Sequence, residues 1–71
     1  MNYVLKAPLP GTVLDIKVRE GQNVDTNDVV LILEAMKMEN EISAGYSGKV
    51  TKIMVGTGDT VKMGDTLIEF E

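Results

Sequence analysis

An all-β fold is predicted for this chain: a small flattened barrel or sandwich of two sheets. Three observations predict it. The chain of 71 residues repeats itself without a gap after 37 positions. Its apolar segments alternate at period 2 and are dense in β-branched residues. No segment combines a 3.6-residue apolar period with capping residues, so no helix is assigned.

The repeat sets residues 7–34 over residues 44–71, with nine identities in twenty-eight pairs. They are Ala7/Ala44, Gly11/Gly48, Val13/Val50, Ile16/Ile53, Val18/Val55, Gly21/Gly58, Val24/Val61, Asp28/Asp65 and Glu34/Glu71. Asn27 faces Gly64, and these two residue types most readily accept positive φ. The pairing predicts the same backbone turn in both copies. Gly21 and Gly58 are expected either at positive φ or against close-packed backbone.

Each copy reads as β throughout. Ile16 and Val18 share one face while Val13 falls out of phase, and Val50 stands in the same relation to Ile53 and Val55. A bulge near 14–15 and again near 51–52 would restore the phase in both copies. "EGQNVDTND" (20–28) and "TGDTVKMGD" (57–65) are turn-rich connectors around one inward valine each, Val24 and Val61. At the end of the second copy Ile68 and Phe70 alternate with Glu69 and Glu71, so register predicts Val29, Leu31 and Leu33 pointing inward in the first. Two such halves cannot bury their apolar faces alone and should pack about an approximate two-fold axis. The link between them, residues 35–43, then protrudes as a hairpin at one end, and the chain termini meet at the other.

That hairpin departs from turn chemistry. "EAMKMEN" (34–40) places Met36, Lys37 and Met38 where a tight strand-to-strand turn favours Asn, Asp or Gly. The acidic residues Glu34, Glu39 and Glu41 flank Lys37 in the sequence. Schiff-base and general-base chemistry, which need a buried lysine, are disfavoured. An exposed lysine suits acylation by an external enzyme that supplies an activated acyl group.

Composition narrows the function further. With no Cys and no His, disulfides, thiolate metal sites, a thiol nucleophile and the commonest general base are all missing. Ser43 and Ser47 have no imidazole to activate them. A net charge of −4 with mixed signs argues against a nucleic-acid footprint. The longest apolar run, Val29 to Leu33, is far short of the roughly 18 residues of a membrane span. The first thirty residues contain no apolar signal-peptide core, which leads to the expectation of a cytoplasmic protein. The length supports one domain, residues 1–71, that buries about 60% of the surface its unfolded chain exposes.

"EAMKMEN" resembles the attachment motif of biotinyl carrier domains, the biotin-accepting modules of biotin-dependent carboxylases and decarboxylases. The resemblance extends over "APLPGTV", "EGQNV", "GDTVKMGDTLIEF" and the repeat itself. It implies a flattened barrel of two four-stranded antiparallel sheets with the lysine on a hairpin turn. It implies that Lys37 is amide-linked to biotin by a biotin protein ligase, with Glu34 and Ala35 recognised by the ligase and Met36 and Met38 flanking the site. Lysine stem and valerate would form an arm on the order of 12–14 Å. The ureido ring at its tip would be carboxylated at a biotin carboxylase site and discharged at a carboxyltransferase or decarboxylase site. The domain itself would be non-catalytic, and monomeric when isolated.

Three other readings compete with this one. A lipoyl carrier of a 2-oxo acid dehydrogenase-type complex shares the fold, but such domains typically show Asp-Lys-Ala around the lysine. Lipoyl-like segments of membrane-fusion adaptors usually insert a long helical segment into the hairpin, for which Met36 to Met38 leaves no room. An enzyme in its own right is disfavoured by the missing His and Cys. Among biotinyl carriers, the gapless repeat excludes the protruding thumb of bacterial-type acetyl-CoA carboxylase. The resemblance is therefore to the carriers of transcarboxylase, of pyruvate or propionyl-CoA carboxylase, or of the sodium-pumping decarboxylases.

Overall fold

Strands form where aliphatic and β-branched side chains alternate with polar ones, because such segments pack one face and solvate the other. The computed structural model describes residues 2–71. In chain order the strands are β1 (Tyr3–Lys6), β2 (Gly11–Ile16), β3 (Asn23–Val24), β4 (Val29–Ala35), β5 (Met38–Ser43), β6 (Gly48–Ile53), β7 (Thr60–Val61) and β8 (Thr66–Phe70). They build two four-stranded antiparallel sheets, ordered β1-β8-β6-β3 and β5-β4-β2-β7. The described residues contain no helix, and so none long and apolar enough to cross a membrane.

The repeat is a two-fold relation in space. Adding 37 to the numbers of β1 through β4 gives β5 through β8, and the same shift converts one sheet order into the other. The pairs Gly11↔Val61 and Val13↔Leu33 become Gly48↔Val24 and Val50↔Phe70. The halves do not form one sheet each. β3 of the first copy edges the sheet built on β6 and β8, and β7 of the second edges the sheet built on β2 and β4. Two-residue strands have too few ladder bonds to persist alone, and exchanging them across the axis locks the sheets together.

Both expected bulges occur. The β2–β4 register shifts between Val13 and Asp15, and the β6–β8 register between Val50 and Lys52. Val13 and Val50 are fully buried as a result. A second symmetric pair of irregularities corrects the inward set expected for β4. Its pairing with β5 shifts between Val29 and Leu31, and the β1–β8 pairing shifts between Leu5 and Lys6, opposite Ile68 and Thr66. The extra residue turns inward in each case, so Val30 and Leu67 are fully buried while Val29 is only half-buried. Leu31, Leu33, Ile68 and Phe70 complete a core in which Val24 and Val61 also lie, and no polar side chain is buried among the described residues.

The turns are repeated with one exception. Gly21 and Gly58 have φ of +93° and +95°, and their N–H groups donate to the carbonyls of Val50 and Val13 at 2.7 Å. The turns 25–28 and 62–65 share their closing bonds, Asp28 N–H to Asp25 O and Asp65 N–H to Lys62 O, both 3.0 Å. Gly64 nevertheless has φ of +92° while Asn27 does not enter the positive region, against the expectation for this pair. The central peptide is flipped. In the first copy the Thr26 carbonyl accepts from Gly45 N–H at 2.9 Å; the position equivalent to Gly45 is Pro8, which has no N–H. The second copy therefore turns its peptide over, and Gly64 N–H donates to the Ala7 carbonyl at 2.9 Å. A type I turn becomes a type II turn, which needs glycine at its third residue.

The lysine hairpin as candidate functional site

β4 and β5 pair down to Ala35↔Met38, leaving a loop of two residues, Met36 and Lys37. Two-residue hairpins favour the type I′ turn, whose central residues both need positive φ. Met36 and Lys37 have φ of +54° and +64°, and they are the only non-glycine residues in that region among those described. A side chain there costs roughly 1–2 kcal/mol per residue. Unfavourable turn residues are thus held at the crest of the longest strand pair, the situation in which strain marks function. Lys37 is exposed, Met36 is 91% exposed and Met38 65%.

Beneath the loop the backbone is tightly supported. Ala35 is buried, and its methyl lies 3.4 Å from where a Cβ on Gly11 would stand. Glu34 is exposed on the outer face of the sheet, directly opposite Glu39. Farther along that face Asp15 and Lys17 form an exposed ion pair at 2.9 Å. The hydrogen bond and charge of Lys17 hold the Asp15 carboxyl below its usual range. Asp15 raises Lys17 in turn, with smaller contributions from Glu41 and Glu39. The hairpin therefore presents two thioethers and an amine above an acidic sheet face.

The structure brings Glu34, Ala35, Met36, Lys37 and Met38 together at one pole of a molecule measuring 33 × 18 × 17 Å. At the other pole β1 and β8 pair Tyr3 with Phe70, and Tyr46 stacks on Tyr3 with ring centroids 4.7 Å apart. One residue near the lysine escaped the sequence reading. Asn40 is half-buried beside Leu33, and its Nδ2 donates to the Leu33 and Met38 carbonyls at 3.3 and 3.2 Å. Its signal was available in the repeat, where the same shift puts the core-packing aromatic Tyr3 opposite a lone amide.

A biotin/lipoyl family model, described as biotin-requiring enzyme, matches residues 3–70. The chain belongs to this family. A biotin carboxyl carrier protein of Streptococcus mutans is 53% identical over 64 residues, covering 90% of this chain and 49% of that protein. A pyruvate carboxylase of Staphylococcus aureus is 46% identical over 65 residues, covering 92% of this chain and 6% of that one. The solved structure of Kluyveromyces lactis urea carboxylase superposes with a TM-score of 0.93 at 34% identity, over all of this chain and 6% of that one. The chain thus spans about half the length of the first relative and a small fraction of the others. The fold agrees with expectation: two four-stranded antiparallel sheets in a flattened barrel.

Proposed function

We propose that this chain is a biotin carboxyl carrier domain, residues 1–71, whose Lys37 is amide-linked to biotin by a biotin protein ligase. The observation that carries the reading is the exposed primary amine of Lys37 on a two-residue hairpin whose backbone is held at positive φ despite bearing side chains. An amine so placed can enter the active site of a second enzyme without any strand of the barrel moving. Lys37 Nζ attacks the activated acyl carbon, the new C–N bond forms, and the amine loses a proton as the leaving group departs. Glu34 offers the ligase a carboxylate that accepts charged hydrogen bonds, while Ala35 keeps the hairpin seated on Gly11. Met36 and Met38 present polarizable apolar surface that adapts to more than one docking partner.

Biotin on Lys37 supplies a ureido nitrogen that takes up and releases a carboxyl group. The domain contributes reach and a rigid base, and its successive partners are a biotin carboxylase and a carboxyltransferase or decarboxylase. The relatives named above support this reading over a lipoyl carrier. The cytoplasm, expected from the sequence, remains the proposed compartment. Co-expression with a biotin protein ligase, followed by intact-mass measurement and peptide mapping, tests the assignment. One biotinyl group on Lys37 is the expected result. Modification by a lipoyl ligase alone, or biotin on another lysine, would overturn it.

A further inference from the structure

We propose that Asn40 is a positioning residue for Lys37: its carboxamide clamps the base of the hairpin and keeps Met36 and Lys37 in the left-handed backbone that presents the amine. The inference rests on the reading of Lys37 as the modified residue. Asn40 lies on the inward face of β5, as the direct partner of fully buried Leu33. Its repeat counterpart Tyr3 partners Phe70 and fills the opposite pole with aromatic packing. A polar residue has therefore replaced an aromatic one at the pole that carries the lysine.

The chemistry of its contacts fixes the orientation of the amide. Both neighbours, the Leu33 and Met38 carbonyls, only accept, so the side-chain nitrogen must face them. One bond reaches across to β4 and the other back along β5 to the first residue after the loop. Together they tie the two strands two residues below a turn whose central residues disfavour its geometry. Without the clamp those residues relax toward negative φ, and the presented conformer becomes a fraction of the population. A ligase that binds only that conformer then shows a raised KM at unchanged kcat, because apparent affinity falls by the competent fraction.

The test uses Asn40→Ala, Asn40→Asp and Asn40→Gln in the full chain, with ligase kinetics and backbone NMR of Met36 and Lys37. Asn40→Asp keeps the shape but turns an acceptor toward two acceptors, and Asn40→Gln keeps the donors. Loss of two neutral hydrogen bonds predicts a rise of about tenfold in KM for Asn40→Ala and at least as much for Asn40→Asp. In both, kcat should be unchanged, and the left-handed carbon shifts of Met36 and Lys37 should be lost. Asn40→Gln should recover most of the affinity. Wild-type KM in Asn40→Ala and Asn40→Asp, a fall confined to kcat, or left-handed shifts that persist in both variants would each overturn the proposal. The NMR arm needs no ligase, and the wild-type kinetics separately test whether Lys37 is modified at all.

Discussion

The carbonyl oxygen of Glu34 lies 2.5 Å from where a Cβ on Gly11 would stand, and Glu71 approaches Gly48 equally closely at 2.6 Å. The pairs Gly11/Gly48 and Glu34/Glu71 are both identities of the repeat, and this contact is what joins them. At Gly11 the obstructing atoms are backbone of the strand leading to Lys37, so they cannot swing aside. Gly11→Ala is therefore expected to destabilise the domain by about 1–3 kcal/mol through overpacking and to slow biotinylation. Urea unfolding and ligase assays measure both effects. Wild-type stability would show that β4 yields more easily than its pairing indicates.

Strain at the hairpin crest is measurable in the opposite direction. Met36→Gly removes a side chain from φ of +54° without losing a packed contact, since Met36 is 91% exposed. Stability is expected to rise by about 1 kcal/mol, which raises Tm by roughly 4–8 °C in a domain of this size. An unchanged or lowered Tm would mean that the loop stores no such strain.

The position of the lysine should matter more to the ligase than the thioethers beside it. Exchanging Lys37 with Met36 or with Met38 moves the amine to a residue that points elsewhere, and position 38 already belongs to the paired strand. Both exchanges should abolish biotinylation, as should Lys37→Ala, with the fold intact in every case. Met36→Leu and Met38→Leu retain volume and apolarity and should still be modified. Complete loss of biotinylation in Met36→Leu would contradict this ordering.

Gly21→Val and Gly58→Val should each destabilise the domain for a purely backbone reason. Nothing lies within 4 Å of a Cβ at either position, yet both have φ above +90°. A β-branched residue is a genuine outlier there, and the N–H bonds to Val50 and Val13 depend on the same geometry. The expected cost is about 1–3 kcal/mol each, read from denaturant midpoints. Equal stability of wild type and both variants would refute it.

Local chemistry was legible in the order of residues, most clearly where the repeat states it twice. Duplicated phase breaks at Val13 and Val50 located the bulges, and duplicated glycines at 21 and 58 located two left-handed turns. An unsuitable turn sequence at 36–38 marked the candidate site. Each of these is a property of a short segment, legible without knowing its neighbours. Tertiary structure alone decided the features that depend on what lies across a gap. The exchange of β3 and β7 between sheets follows from which edges remain unpaired once both halves meet. Asn27 and Gly64 diverge because one peptide faces a donor in Gly45 while the other faces Pro8, which has none. Val30 displaced Val29 from the core because the second irregularity adds a residue to β4 opposite β5. Asn40 became a functional candidate only when the Leu33 and Met38 carbonyls were seen on either side of its amide. Hydrogen-bond partners distant in the chain leave no periodicity to read, so their effects appear only after the strands are in register.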